Sequence, residues 1–160
     1  MQNKIWLKSY PEGMPSEINP ELFLSVKDLL EKLTVKYSDR PAFHNLGRTL
    51  SYADLDRLTR EFASFLQGLP EMNKGDRVAL MSPNLLQYPV ALFGILRAGM
   101  TVVNVNPLYT PRELEHQLKD SGAKLIIMVE NFATTLQQVL PQVPRESRCC
   151  RRCATPAPSS

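Results

Sequence analysis

The stretch that most constrains the fold is residues 76–129, where three short apolar runs alternate with two helical patterns. The runs cover residues 77–81, 101–105 and 124–129. Continuous apolar runs are typical of strands covered on both faces, and each connection is long enough to hold a helix, so the strands are predicted to be parallel. The predicted fold class is α/β: an incomplete doubly wound parallel sheet, the βαβαβ unit, with amino-terminal helices and a small hairpin.

The chain before this unit contains three simpler elements. Residues 1–20 carry three prolines and few periodic positions, so they are predicted to form an extended arm. Apolar residues at helical spacing predict a helix over residues 22–37. Segments 42–45 and 48–50 flank Leu46-Gly47, which predicts a hairpin.

Helix boundaries are specified by capping residues. Ser51 and Asp54 resemble a capping box, with Asp in place of the usual Glu, that opens a helix to about Gln67. Thr110 and Glu113 form a second capping box with Pro between them at the first helical position. A further helix is predicted over residues 132–140.

The helix between the first two strands has almost no polar face. It is predicted to run from Asn84, or a residue just after it as the cap, to Ala98, buried between the sheet and another element. Gly94 would allow close approach to a neighbour, Arg97 lies at the negative end of the helix dipole, and Gly99 can adopt the left-handed conformation that ends the helix.

Charge, apolar runs and cysteine positions argue against several classes of protein. The net charge is +3, but four arginines follow Pro144, so the preceding body is close to neutral and nucleic-acid binding is not expected. The amino end has no signal-like apolar run, and the longest apolar run, residues 90–96, is too short to span a membrane. We therefore expect a cytoplasmic chain with no transmembrane segment. We also expect no disulfide framework, because all three cysteines lie in the tail.

Polar residues follow each predicted strand of the unit, where ligands of open parallel sheets bind. They are Ser82, Asn84, Asn104, Asn106, Glu130 and Asn131. Such a rim could bind a ligand through hydrogen bonds. For any one of these residues, however, an ordinary cap or turn role is the favoured interpretation.

Candidate catalytic and metal-binding residues are not predicted. The glycines are too dispersed to form a phosphate-binding loop. His44 and His116 are isolated and are interpreted as structural or surface residues, and Cys149, Cys150 and Cys153 lack a fourth metal ligand. We therefore predict no catalytic, cofactor-binding or metal-binding residue in this chain.

Residues 76–99 and 103–114 closely resemble the amino-terminal part of bacterial long-chain fatty-acid:CoA ligases, which belong to the adenylate-forming, AMP-binding superfamily. The Ser51 helix start and the Tyr10-Pro11 arm also match, and the resemblance covers residues 1–144. It implies ATP-dependent activation of a fatty acid to an acyl-adenylate and transfer to CoA, with Mg²⁺ assisting. The partners and cofactors implied for the parent are fatty acid, ATP, Mg²⁺ and CoA, and its location is cytoplasmic, peripheral at the inner membrane.

The same resemblance implies that this chain is inactive alone. No position matches the family's phosphate loop, adenine-binding motif or catalytic lysine. Residues 1–144 are assigned to the amino-terminal part of an AMP-binding domain, and residues 145–160 to a disordered, out-of-frame tail because they carry no bulky apolar residue.

Two alternative functions stay open at this point. One is a non-catalytic Rossmann-like module that binds a small ligand at the Asn-rich rim. The other is an interaction fragment that docks on an intact ligase, or self-associates, through its unfinished sheet.

Overall fold

The computed structural model describes residues 4–143 and 148–149. Two short 3₁₀ helices, Ile5–Ser9 and Glu130–Phe132, accompany five α-helices and six strands in this part of the chain. In chain order the main elements are α1 (Val26–Lys36), β1 (Pro41–Asn45), β2 (Arg48–Ser51), α2 (Tyr52–Gln67), β3 (Arg77–Met81), α3 (Gln87–Arg97), β4 (Thr101–Val105), α4 (Pro111–Ser121), β5 (Leu125–Met128), α5 (Ala133–Val139) and β6 (Arg148–Cys149).

The predicted parallel sheet is confirmed, with the strand order β4-β3-β5-β6. β3 pairs in parallel with β4 on one side and with β5 on the other. β1 and β2 form the predicted antiparallel hairpin as a separate two-stranded sheet. Because the chain moves to one side of β3 and then crosses to the other, the sheet has a switch point between β3 and β5.

Helices cover both faces of the sheet, as a doubly wound fold requires. Successive strand residues point to opposite faces. One face packs on α2 and α3 through Val78, Leu80, Leu125, Ile127, Ala63, Leu66, Ala91 and Ile95. The other face packs on α4 and α5 through Ala79, Met81, Val105, Ile126, Leu114, Leu118, Leu136 and Val139. Each fully buried Leu or Ile contributes about 1.5–3 kcal/mol of transfer free energy.

Both predicted capping boxes are present. The Ser51 side chain accepts a hydrogen bond from the Asp54 backbone N–H, and the Thr110 side chain accepts one from the Glu113 N–H, with each carboxylate returning to the cap residue. Pro111 occupies the first turn of α4, where no hydrogen-bond donor is needed. Reciprocal caps therefore fix the beginnings of α2 and α4.

Two predicted helix starts are wrong. α1 begins at Val26 and not at residue 22, because the Ser25 side chain caps it by accepting from the Asp28 N–H. α3 begins at Gln87 and not beside Asn84, and its cap position, Leu86, makes no side-chain hydrogen bond. Pro89 in the first turn has no N–H, so one fewer donor needs a cap there.

α3 is buried between the sheet and α2, as predicted. Gly94 permits this approach, because a Cβ at this position would lie 2.6 Å from the Cδ1 atom of Phe62. Gly99 adopts the left-handed conformation, with φ of 80°, immediately after the helix. The two glycines thus set the packing distance and the end of α3.

Arg97 joins α3 to α2 in a way that its sequence position did not reveal. It lies in the last turn of α3, as expected, but its side chain is only 4% exposed. Its Nη2 atom donates to Asp56 Oδ1 at 2.5 Å, and its Nη1 atom donates to Thr59 Oγ1 at 3.0 Å and to the Asp56 carbonyl at 2.9 Å. Within the described residues, Arg97 Nε has no hydrogen-bond partner. Burying a guanidinium without its carboxylate would cost free energy, because the charge would be uncompensated. The ion pair therefore holds the two helices together.

Replacing Asp56 by Ala should lower the free energy of unfolding by about 3 kcal/mol, because Arg97 would stay buried without its counter-charge. Urea-induced unfolding of the full chain measures this loss. The matched control is Glu61→Ala on the same helix, which removes an exposed ion pair with Arg57 and should cost about 0.5 kcal/mol or less. Equal losses in the two variants would contradict a special role for the buried pair.

The Asp56 pair should also make stability depend on pH. Burial raises the pKa of Asp56, but the hydrogen bonds from Arg60 and Arg97 outweigh it and hold the pKa below its usual value. A lowered folded-state pKa stabilises the fold above the unfolded-state pKa, and this contribution is lost as the pH falls through the folded-state value. The stability difference between the wild type and Asp56→Asn should therefore be largest near neutral pH and shrink below about pH 4. Unfolding curves of both proteins across this range provide the measurement, and a pH-independent difference would refute the assignment.

Candidate functional site

The fold divides the predicted polar rim: Ser82, Glu130 and Asn131 share one cavity, Asn84 lines a different groove, and Asn104 and Asn106 line neither. Ser82, Glu130 and Asn131 line one cavity of about 300 Å³ at the carboxyl ends of β3 and β5. This is the switch point of the sheet, the place where open α/β sheets bind ligands. It is therefore the candidate functional site.

Asn104 and Asn106 do not line this cavity. The Asn104 side chain accepts a hydrogen bond from the Tyr88 hydroxyl at 3.0 Å, and its backbone carbonyl accepts one from Gln117. The Asn106 side chain accepts from the Leu108 N–H at 3.0 Å, a turn of the Asx type. Asn106 thus has the turn role that the ordinary interpretation predicts, whereas Asn104 is a strand residue whose side chain contacts Tyr88, which is neither a cap nor a turn role.

The cavity has an apolar interior and a short polar margin. Its apolar lining comes from β3, α3 and β5, while Ser82, Gln87, Glu130 and Asn131 supply the polar side chains. The Ser82 hydroxyl donates to the Pro83 carbonyl at 3.0 Å. Among the described residues, no Lys, Arg or His lines the cavity. These lining residues can hydrogen-bond an uncharged polar group, but none of them presents a cation to a phosphate.

A second concave surface lies between the hairpin and α3, and sequence reasoning missed it. This hairpin groove has a volume of about 470 Å³ and is lined by Phe43, His44, Asn45, Asn84, Leu85, Leu86, Tyr88, Pro89, Leu92 and Phe93. Asn45 Nδ2 donates to the Asn84 carbonyl at 2.8 Å and ties the hairpin to the loop before α3. Its two walls are some forty residues apart in the chain, so no local pattern could have indicated it.

A third, solvent-open groove of about 720 Å³ runs along α4 and carries side chains of mixed charge. Among them, Glu113 closes the capping box of α4. The Thr110 hydroxyl and backbone N–H donate to its carboxylate and lower its pKa. That carboxylate is thus engaged in holding the helix end.

The two histidines lie apart. His44 is on β1, with its Nδ1 atom 2.8 Å from Thr49 Oγ1, and His116 is on α4 in the solvent-open groove. In the described part of the chain, no group of three His, Cys, Asp or Glu residues is arranged to hold a metal ion. Cys149 belongs to β6 by its backbone, and Cys150 and Cys153 lie outside the described residues.

No helix of the described residues is long and apolar enough to cross a lipid bilayer.

Comparisons of this chain with a family model and with individual proteins point to the same family. The sequence model described as AMP-binding enzyme matches residues 30–157. The chain is 59% identical over 137 residues to the long-chain-fatty-acid–CoA ligase of Escherichia coli O6:H1, covering 86% of this chain and 24% of that protein. It is 37% identical over 127 residues to the long-chain-fatty-acid–CoA ligase of Bacillus subtilis, covering 79% of this chain and 22% of that protein. The chain thus spans about a quarter of the length of these relatives.

Solved structures show the same fold. A benzoate CoA ligase from Burkholderia xenovorans superimposes with a TM-score of 0.72 at 24% identity, covering 81% of this chain and 25% of that chain. At this identity the likeness concerns the fold alone.

Calorimetric titration of AMP into the full chain should show no saturable binding. The reason is that no described residue of the switch-point cavity offers a basic side chain to the phosphate, while the Glu130 carboxylate would repel it. A saturable AMP isotherm that is abolished by Ser82→Leu would contradict this expectation.

Proposed function

This protein belongs to the AMP-binding enzyme family, and we propose that it forms the amino-terminal part of a long-chain fatty-acid:CoA ligase. The single observation that carries the proposal is the 59% identity, over most of the chain, to a protein of that activity. The parent reaction would activate a fatty acid with ATP and transfer the acyl group to CoA, with Mg²⁺ on the phosphates.

Within such a ligase, the role proposed for this chain is structural. Its sheet is covered on both faces, and no phosphate-binding cation is among the described residues that line its switch-point cavity. Electrostatic stabilisation of the phosphates is a large part of acyl-adenylate formation. The chain is therefore expected to provide a scaffold and to be inactive alone, with no cofactor of its own.

Several finer expectations are part of the proposal. They are that fatty acid, ATP and CoA are the partners of the parent, that it binds no nucleic acid, and that it is cytoplasmic and peripheral at the inner membrane. The described lining of the cavity, which contains no basic side chain, supports the view that the ATP phosphates bind elsewhere in the parent.

The boundary at residue 144 stays a prediction. Most of residues 145–160 lies outside the described residues, while Arg148–Cys149 pairs in parallel with Leu125–Ile126. The family match itself extends to residue 157. Reading the coding DNA in the other two frames tests the proposed frameshift, which fails if neither frame continues with ligase-like sequence.

A second candidate function is docking through the sheet. β4 pairs with β3 on one side, and no other described strand pairs with it. Thr101 and Asn104 of this strand are exposed, although the Asn104 carbonyl already accepts a hydrogen bond from Gln117. The strand carries no charged residue or proline of the kind that blocks edge pairing. This edge is the place where an intact ligase, or a second copy, would add a strand.

A palmitate-dependent ATP–pyrophosphate exchange assay of the purified chain should give no signal above background, because the phosphate-stabilising groups are expected elsewhere in the parent. Exchange that depends on palmitate would overturn the proposal of inactivity.

The scaffold role has a separate test. The Escherichia coli relative, shortened by the quarter that this chain matches, should be inactive, and adding this chain should restore some palmitoyl-CoA formation. The shortened relative alone is the control. Failure to restore activity, although the two parts co-purify, would argue against the scaffold role.

A further inference from the structure

The turn of the hairpin holds Leu46 in a conformation that leucine rarely adopts. Leu46 has φ of 48° and Gly47 has φ of 75°, so both central residues of the two-residue turn have positive φ. Such turns strongly prefer Asn-Gly, because the left-handed backbone brings the Cβ of other residues too close to the following carbonyl. Backbone strain is usually maintained by surrounding structure, whereas packing within the described residues leaves the Leu46 side chain 87% exposed.

The hairpin groove begins directly beside this turn and combines an apolar lining with a polar margin. Phe43 of β1, together with residues of α3 and of the loop before it, supplies most of the apolar lining, while His44, Asn45 and Asn84 supply polar groups. The Asn45 side chain donates to the Asn84 carbonyl at 2.8 Å, which fixes the wall next to the turn. His44 Nδ1 lies 2.8 Å from Thr49 Oγ1 across the hairpin. Such a lining matches a protein surface with apolar side chains at its centre and polar groups at its rim.

The relatives of this chain are about four times as long, since the chain covers 24% of the Escherichia coli O6:H1 ligase. The family match over residues 30–157 includes both walls of the hairpin groove. In a protein of that length, this surface would belong to a chain with three further quarters to pack. A larger chain buries a larger fraction of its surface than a small one does. The remaining length is therefore a source of partner surface for the groove and for Leu46.

Tethering favours this remaining length over a second copy as the occupant of the groove. A segment of the same chain is held near the groove at an effective concentration of about millimolar order, whereas a second copy must be recruited from dilute solution. Packing against the rest of one chain also requires no two-fold symmetry. Leu46 and the groove then need only face one complementary surface.

We propose that Leu46 and the hairpin groove form the docking surface for the remaining three quarters of the ligase, with Leu46 and Phe43 buried in the contact. This inference rests on the proposed function, because the partner is the rest of the parent protein. It explains a leucine where the turn prefers Asn, since burial of the apolar side chain offsets the strained backbone. It differs from strand addition at β4, which uses backbone groups of the sheet edge.

A full-length chimera tests this docking surface. In the chimera, residues 1–143 of this chain replace the matching quarter of the Escherichia coli O6:H1 relative. Hydroxyl-radical footprinting, read by mass spectrometry, compares Leu46 in the chimera with Leu46 in the free 160-residue chain. The oxidation rate of Leu46 should fall at least about fivefold in the chimera, because a side chain that is 87% exposed becomes part of a buried interface core.

The variant Leu46→Asn should change stability differently in the two proteins. In the free chain, its melting temperature should be equal to or higher than that of the wild type, because Asn tolerates the left-handed conformation. In the chimera, its melting temperature should be lower, because a polar amide replaces a buried apolar side chain. The matched control is Leu46→Met, which keeps an apolar side chain of similar volume and should leave the melting temperature of the chimera close to that of the wild type.

The proposal is overturned if Leu46 is oxidised at the same rate in the chimera and in the free chain, or if Leu46→Asn does not lower the melting temperature of the chimera. It is equally overturned if Leu46 becomes protected in the free chain as the concentration is raised, because a second copy is then the occupant. Palmitoyl-CoA formation by the chimera tests the ligase function separately. Protection of Leu46 in an inactive chimera would support the docking surface and contradict the ligase function, and an active chimera with an exposed Leu46 would do the reverse.

Discussion

The structure depends on covering both faces of a short parallel sheet. The strands β3 and β5 are apolar on both faces, so neither face can be left in water without losing much of the transfer free energy that stabilises the fold. The crossover from β4 to β5 places α4 on the face opposite α3, and the two apolar clusters divide between these faces. The same crossover creates the switch point and the cavity in it.

The packing of α2 against the outer side of α3 adds a further helical layer on one face of the sheet. α3 is apolar almost all round, so it needs α2 on its outer side, and Gly94 lets Phe62 lie against its backbone. The buried Arg97 then requires Asp56 and Thr59 in fixed positions. Apolar packing brings the helices together, and the buried ion pair joins them at Arg97 and Asp56.

The cavity of this chain indicates how function is distributed in the proposed ligase. A polar margin at the switch point resembles a nucleotide site in outline, but among the described residues its titratable side chain is an acid and no basic residue lines it. The described lining therefore does not attract phosphate. The fold thus supplies position and support, and in the proposed ligase the groups that stabilise charge belong to other parts of the chain.

Local sequence determined much of this fold. The three strands, both capping boxes, the hairpin and the close approach at Gly94 could be predicted because each depends on neighbouring residues or on a fixed helical or strand period. The start of α3 was misplaced, since Leu86 gives no capping signal. The partner of Arg97, which is 41 residues away, and the separation of Ser82 and Glu130 from Asn104 were decided only by the tertiary structure. Those contacts arise from strand order and helix packing, and no local pattern encodes which distant polar groups meet.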